Sequence, residues 1–560
     1  MASKSFRYLI DFSLAVLSSL LLVISFPRFD LGFLAWIGLL PLLIAINGKS
    51  LKYSFLISFI CGILFFGGVF HWILAVPKYT LLHHALLAVY LGSYFGLFGF
   101  LFNFISKRLG IILAVFSAPF IWVSLEYIRG NLSFLSLPWP FLAHSQYQYP
   151  VVIQIASIVG TYGVSFLIVL VNAALAIIVF YFTPTLACAQ ASAGRLALPP
   201  AFAGTLRAGR RQGGGERRGL KGGWEGLKER KYLLIVTASL LLSTLLYGYF
   251  TITNTITGNK VKISLVQGNI EQVKKWDRGY AREIMQIYAH LTEEASKDQP
   301  ALIIWPETAT PGSINQDIRL HIEVRNIAKK AETYLLLGSA QHQKFAEKEK
   351  KKFKYLNSAF LINPQPKLGK NQRYDKIRLF PFGEYLPFKE IIPWSLINVV
   401  SMDNYMPGEQ FTVFEHPDFR FGMVICWESI FPNLVRQFVK RGAQVMINIT
   451  NEGWFGDTAP YQFLATNVFR AVENRIYVVR CANIGISCLI DPYGRIVDRV
   501  KDKSGRDIHV RGVLTGTVVP LDSNTFYTRH GEWLFWLMFP ISAFFVMGAF
   551  LRKTVRLNSR

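Results

Sequence analysis

The stretch Phe421-Gly-Met-Val-Ile-Cys-Trp-Glu-Ser-Ile-Phe-Pro432 decides how the rest of the chain is read. Phe421 to Ile425 is a short apolar run with β-branched residues, the pattern of a buried strand. From Ser429 to Lys440 the apolar residues Ile430, Leu434, Val435 and Phe438 recur at helical spacing. Cys426 therefore stands at a strand-to-helix turn. A thiol there is exposed at the sheet edge and near helix N–H groups, which favour the nucleophilic thiolate. The same residue also reads as a buried structural cysteine, and this stretch alone leaves both readings open.

The composition around this stretch is not that of an ordinary soluble enzyme. Hydrophobic residues make up 52% of the 560, mean hydropathy is positive, and the length allows more than one domain. The formal net charge of +25 points to nucleic acid or to a membrane surface. The basic residues collect in short loops between apolar segments, which favours the membrane. The five cysteines, Cys61, Cys188, Cys426, Cys481 and Cys488, form no CxxC pair and no metal-type spacing, so no zinc site, disulfide framework or cofactor is expected. The first apolar stretch is followed by others and reads as an anchor rather than a cleaved signal.

About eight apolar segments approach the roughly 20 residues that a transmembrane helix needs. They are Tyr8–Phe26, Leu31–Ile46, Phe55–Leu74, Leu81–Ile105, Ile111–Ile128, Val164–Phe182, Tyr232–Phe250 and Trp533–Leu551. The second is short enough that full crossing is in question. With eight spans, Lys4 and Arg7, Lys49 and Lys52, Lys107 and Arg108, and the basic C-terminus all fall on one side. By the positive-inside rule that side is cytoplasmic. Thr183–Lys231 falls there too. Its Arg207, Arg210, Arg211, Arg217 and Arg218 sit among Gly, Ala and Pro, which reads as a disordered loop. No interleaved aromatics suggest nucleic-acid binding by this tract.

The expected organisation is thus a membrane part over 1–250, with the basic loop at 183–231, an extracytoplasmic domain over 251–532, and a last helix and tail over 533–560. The large segment is α/β in pattern. Strand-like runs are Val261–Gln267, Ala301–Trp305, Tyr334–Gly338, Asn357–Ile362, Phe421–Ile425, Val445–Ile449, Tyr477–Arg480 and Gly512–Val518. Helical patterns lie at Arg278–Lys297, Gln316–Ala331, Ser429–Lys440 and Tyr461–Asn474, so sheets covered by helices are predicted.

Three positions at or near strand ends carry chemistry. Trp305-Pro-Glu307 follows one strand, Lys376 opens Lys-Ile-Arg-Leu-Phe-Pro-Phe-Gly-Glu384, and Cys426 precedes Trp427 and Glu428. A thiol needs a base, which a carboxylate supplies. An attacked carbonyl develops charge on oxygen, which an ammonium stabilises. Glu, Lys and Cys make a complete acyl-transfer set, although each alone also reads as a loop carboxylate, a solvated lysine and a core cysteine.

Trp-Pro-Glu at 305–307, Lys-x-x-Leu-x-Pro-Phe-Gly-Glu at 376–384 and Ile-Cys-x-Glu at 425–428 resemble the three signatures of the nitrilase, or carbon–nitrogen hydrolase, superfamily. With the membrane spans they resemble its apolipoprotein N-acyltransferase branch. Val266-Gln-Gly-Asn-Ile270 with Trp276, Asn451-Glu-Gly-Trp-Phe-Gly456, Arg470-Ala-Val-Glu-Asn-Arg475, Asn483-x-Gly-x-Ser487, Phe29 to Trp36 and Pro138-Trp139 fit the same branch. Trp427 stands where the family often has tyrosine, and Ser136 where it commonly has glycine.

The resemblance implies an eight-span membrane domain carrying an αββα sandwich. It implies Cys426 as nucleophile, Glu307 as general base, Lys376 as oxyanion stabiliser, and Glu384 and Glu428 as supporting carboxylates. Trp276, Trp427, Trp454 and Trp139 are implied as walls of the substrate site. It further implies a bacterial inner-membrane enzyme with its catalytic domain on the periplasmic side. That enzyme moves an acyl chain from a phospholipid, through a cysteine thioester, to the α-amine of a diacylglyceryl-modified lipoprotein. A tethered amidase on a small amide, and a transporter or scaffold with an inactive hydrolase domain, are the rival readings. The apolar run in Tyr385–Met406 is expected either to dip into the outer leaflet as a flap or to pack on its own domain.

Overall fold

The computed structural model describes residues 2–193, 216–275, 277–345, 352–365, 371–388, 391 and 405–558. Seven helices among them are long and apolar enough to cross a bilayer: Ser5–Ile24, Leu51–Val69, Leu81–Leu109, Ile111–Asn131, Ala156–Phe180, Lys231–Ile252 and Trp533–Arg552. The eighth expected span is different. Gly32–Ile46 is a shorter apolar segment, broken into a 3-10 turn at Gly32–Leu34 and helices at Ala35–Gly38 and Leu40–Ile46. Pro41 lacks the N–H a continuous helix needs. Asn172 Oδ1 takes up the N–H groups of Leu39 and Leu40 at the break, at 2.9 and 3.0 Å. The broken segment nevertheless returns the chain, because Lys49 beyond it pairs with Asp11 of the first helix.

The loop expected over Thr183–Lys231 is described only at its two ends. Helix continues through Ala193 and resumes at Glu216, so much of the segment is helical; residues 194–215 lie outside the described residues. The alanines at 187, 189, 191 and 193, and the Glu, Lys, Arg and Leu residues after 216, are strong helix formers, a bias that the Gly and Arg content concealed.

The large domain contains strands β1 (Val261–Gln267), β2 (Leu302–Ile304), β3 (Tyr334–Phe345), β4 (Lys352–Ile362), β5 (Gln372–Asp375), β6 (Val413–Glu415), β7 (Arg420–Ile425), β8 (Val445–Thr450), β9 (Tyr477–Ala482), β10 (Cys488–Ile490), β11 (Ile496–Arg499) and β12 (Gly512–Val518). They form two six-stranded sheets, ordered β12-β1-β2-β3-β4-β5 and β11-β10-β9-β8-β7-β6. Every strand-like run read from the sequence is a strand. The four not anticipated, β5, β6, β10 and β11, are short and lie at or beside sheet edges, where few apolar residues mark them.

The sheets stack face to face. Cys481 on β9 donates across to the carbonyls of Val266 at 3.5 Å and Ile304 at 3.3 Å. Leu302 and Ile304 join this central core, while Ile303 and Trp305 turn to the outer layer with Ile284, Tyr288 and Leu291 of helix Ala281–Ser296. The period-2 alternation of the strand thus feeds two apolar layers, which is why β2 reads as an unbroken apolar run. Helices Ala281–Ser296 and Ile318–Lys330 cover the first sheet; Pro432–Lys440 and Ala459–Asn474 cover the second.

The last of these helices seats the domain on the membrane bundle. Gln462 donates to the Val69 carbonyl at 2.8 Å and accepts from Trp72 Nε1 at 3.2 Å. Glu473 accepts from Thr161 N and Oγ1 at 3.0 and 2.6 Å, and Gln154 donates to the Tyr493 carbonyl at 2.9 Å. Val69, Trp72, Gln154 and Thr161 all lie at the end of the bundle opposite Lys49 and Asp11 in the chain's alternation. The domain therefore caps one end of the bundle only.

Candidate active site

Glu307, Lys376 and Cys426 each lie just past the carboxyl end of a strand, β2, β5 and β7. The first two belong to one sheet and Cys426 to the other, so the face-to-face packing brings them together. Gly338 on β3 makes room for the Glu307 turn: a Cβ there would meet the main chain of Thr308 and Pro306 at 2.6 and 2.7 Å. The side chains of Glu307 and Lys376 are buried, and Cys426 is partly exposed.

Polar contacts tie the three positions together. Lys376 Nζ donates to Glu384 Oε1 at 2.9 Å, and Glu384 Oε2 accepts from Phe380 N at 2.7 Å. Asn357 Nδ2 donates to Glu307 Oε1 at 2.7 Å and reaches Glu384 Oε1 at 3.2 Å. Asn357 thus bridges the two carboxylates, while Glu384 fixes the lysine.

Cys426 has φ +57°, a left-handed conformation that costs about 1–2 kcal/mol for a residue with a Cβ. Glu428 holds it. Its carboxylate accepts from Ile425 N at 2.8 Å, Ile377 N at 2.7 Å, Arg378 N at 2.9 Å and the Tyr374 hydroxyl at 2.9 Å. One buried carboxylate therefore staples the Cys426 turn to the lysine loop across two sheets. After Cys426 comes a 3-10 turn, Cys426–Ile430, and the α-helix begins only at Pro432. The expectation of a thiolate stabilised by helix N–H groups is corrected accordingly. Burial, then the charge of Glu307, pushes the Cys426 thiol well above its ordinary value, with Lys376 opposing. The thiol rests protonated and needs a base.

Burial alone would weaken the Lys376 ammonium. The charges of Glu384, Cys426 and Glu307 outweigh burial and hold it cationic beyond the usual lysine range. A second lysine, absent from the sequence reading, behaves in the opposite way. Lys275 is 5% exposed and donates to the main-chain carbonyl of Glu307 at 2.8 Å. Burial lowers it to about 7, while Glu307 and Cys426 pull it upward. Lys274 and Lys275 are a plain basic pair in sequence, and nothing there distinguishes the buried member. Asn357 begins a strand-like run, and its polarity at a buried position was the signal available for it. Glu452, buried against Arg480 and pushed up to about 7 by burial, also bears on the thiol's electrostatics.

Aromatic rings line the approach from the bundle. Trp139 packs on Trp72 (centroids 5.2 Å), Trp72 on Phe455 (5.3 Å), Phe455 on Phe380 (6.2 Å) and Phe380 on Trp427 (4.9 Å). Trp427 and Trp139 are buried in this series, and Trp427 Nε1 donates to the Arg378 carbonyl at 2.6 Å. Trp454 is half-buried in the turn after β8. Trp276 lies outside the described residues, as do 389–390 and 392–404 of the apolar loop. At the start of that loop, Phe388 meets Phe134 of the bundle's end loop edge-on at 5.0 Å. Among the described residues no cluster of three or more His, Cys, Asp or Glu forms a metal-binding group.

Comparison with known proteins matches the two halves separately and the whole together. Residues 18–174 match the apolipoprotein N-acyltransferase N-terminal domain and residues 262–518 the carbon-nitrogen hydrolase domain. Apolipoprotein N-acyltransferase of Geobacter metallireducens is 34% identical over 97% of this chain and 96% of its own. The Chlorobaculum tepidum protein of the same name is 29% identical over 97% of each chain. Among solved structures, Nit3 of Saccharomyces cerevisiae, a nitrilase-superfamily member, is 22% identical over 50% of this chain and 95% of its own, with a TM-score of 0.35. An amidase from Nesterenkonia sp. is 20% identical over 50% and 96%, with a TM-score of 0.36. Matched along nearly its whole length by a relative at 34% identity, and carrying both domains in order, the chain belongs to the apolipoprotein N-acyltransferase family.

Proposed function

We propose that the protein moves an acyl chain from a phospholipid to the α-amine of the N-terminal diacylglyceryl-cysteine of lipoproteins, by way of a thioester on Cys426. Glu307 takes the thiol proton, and the thiolate attacks the donor's ester carbonyl. The Lys376 ammonium meets the oxyanion that forms. As the tetrahedral intermediate collapses, the ester C–O bond breaks and the lysophospholipid leaves as its alcohol with the proton from Glu307. The acceptor's amine then attacks the thioester. An amide C–N bond forms, the C–S bond breaks, and the thiol is restored. The two half-reactions share one acyl-enzyme, which makes the kinetics ping-pong.

The observation that carries this reading is the aromatic series from Trp139 in the bundle to Trp427 beside the nucleophile. It offers an apolar wall against which an acyl chain would lie, limiting the water that reaches a thioester. The charge bias of the loops supports a catalytic domain on the side away from the cytoplasm, and membership of the family supports a bacterial inner membrane with that side periplasmic. The test is incubation of the purified protein with a phospholipid labelled in its acyl chains. A labelled, hydroxylamine-sensitive adduct on Cys426 that passes to a diacylglyceryl peptide is expected. Release of free fatty acid alone points to a hydrolase. Absence of any adduct under single-turnover conditions overturns the reading.

A further inference from the structure

Two buried lysines flank the same thiol and the same glutamate, and their surroundings differ. Lys376 is paired with Glu384 and fixed as a cation. Lys275 ends the one-turn helix Gln272–Lys275 and spends its hydrogen bond on a neutral group, the Glu307 carbonyl. Groups whose environments drive their proton affinities apart in one site divide acid and base roles between them.

The reaction contains a proton that the set of Glu307, Lys376 and Cys426 does not absorb. In the first half-reaction the thiol proton passes to Glu307 and leaves with the lysophospholipid alcohol, so the balance closes. The second begins from an α-ammonium, because α-amines are largely protonated at neutral pH. That ammonium must lose one proton to become a nucleophile. The attacking nitrogen loses another as the amide forms, and Glu307 passes this one to the departing sulfur. One proton is left over, and a base beside the acceptor's amine must take it.

We propose that Lys275, as its neutral amine, is the base that takes this surplus proton from the acceptor's α-ammonium; the inference rests on the acyl-transfer reading above. The balance is then complete: ammonium plus lysine amine gives free amine plus lysine ammonium, which returns its proton to bulk water after the amide product leaves. The position suits the task. Lys275 is anchored on the residue that handles the other proton, and its charge interacts with both Glu307 and Cys426. Gln272, one turn earlier, is buried with both amide atoms lacking a hydrogen-bond partner, which leaves polar capacity beside Lys275 for an entering amine. The drop of Lys275 to about 7 leaves a substantial neutral fraction at neutral pH.

The experiment separates the half-reactions in the full-length protein. The thioester is formed with labelled phospholipid, and transfer is started with a synthetic peptide bearing an N-terminal diacylglyceryl-cysteine. Lys275→Met is expected to form the thioester within about tenfold of the wild-type rate and to transfer about a hundredfold more slowly, the usual scale for a lost acid or base. Lys275→Arg keeps the charge and the hydrogen bond but cannot give up its proton, so it fails at transfer as well. Raising the pH past the α-amine's own value restores transfer in both variants. If Met at this position prevents folding, Lys275→Gln, which still has a donor for the Glu307 carbonyl, takes its place with the same expectation. Recovery of transfer by Lys275→Arg, equal losses in both steps, or unchanged transfer overturns the proposal. A wild-type protein that forms no thioester overturns the acyl-transfer reading and this inference with it.

Discussion

Asn357 and Glu307, fifty residues apart in sequence, share a buried hydrogen bond of 2.7 Å from amide nitrogen to carboxylate oxygen. The bond fixes where that carboxylate oxygen lies. Asn357→Ala removes the donor and frees the carboxylate to turn away from its place in the site. Cys426 acylation should slow by about tenfold or more, the scale of a misplaced reacting group. Single-turnover acylation by a labelled phospholipid checks this. An unchanged rate would show that Asn357 does not position Glu307.

Glu307→Gln and Lys376→Met separate base from oxyanion stabiliser. Each should lower acylation by about a hundredfold or more. Because both groups act in one transition state, the double variant should lose less than the product of the singles. Higher pH raises the thiolate fraction, so it should partly rescue Glu307→Gln and do less for Lys376→Met, whose missing charge hydroxide does not replace. Equal rescue, or strictly multiplicative losses, refutes the division of roles.

Glu428→Gln tests the staple. The carboxylate accepts from three main-chain N–H groups and a tyrosine hydroxyl, and an amide group turns a donor toward donors. Each buried donor left unmet costs roughly 1–3 kcal/mol, so the midpoint of thermal unfolding in detergent should fall on the order of 5 °C or more. Cys426 should also lose reactivity toward the phospholipid, because its left-handed turn is no longer held. A variant as stable as the wild type would mean that the staple contributes little.

Lys275 gives the stability a pH dependence of known sign. Its folded value, about 7, lies below the ordinary 10.5. Between those values the unfolded chain binds more protons than the folded one, so stability rises with pH through that window. Lys275→Met removes the contribution. Relative to this variant, the wild type should therefore gain stability as the pH is raised from about 7 to about 10. The readout is the difference in apparent unfolding midpoint by tryptophan fluorescence, and a flat difference counts against a perturbed Lys275.

The proposed sidedness rests on the loop charges and on the domain capping one end of the bundle. In spheroplasts, a cysteine introduced by Lys107→Cys should be reached by an impermeant thiol reagent only after the membrane is opened. One introduced by Ser504→Cys, in an exposed turn of the catalytic domain, should react at once. Labelling of both from the same side would refute the orientation.

The sequence by itself determined the long apolar helices, the α/β character of residues 251–532 and the interior strands, because periodicity and burial on both faces write themselves into residue order. Val261–Gln267 and Gly512–Val518 are strands residue for residue. The three signatures also marked Glu307, Lys376, Cys426, Glu384 and Glu428 without any coordinates. Tertiary structure alone decided what depends on neighbours distant in the chain. That Gly32–Ile46 breaks into short helices turned on the Asn172 side chain that satisfies the freed N–H groups. Whether the Cys426 thiol rests ionised turned on burial and on Glu307, not on the local turn. Lys274 and Lys275 are indistinguishable as letters. Only the placement of the turn after β2 against their short helix buries Lys275 on the Glu307 carbonyl and leaves its neighbour half-exposed, because desolvation is a property of place and not of sequence.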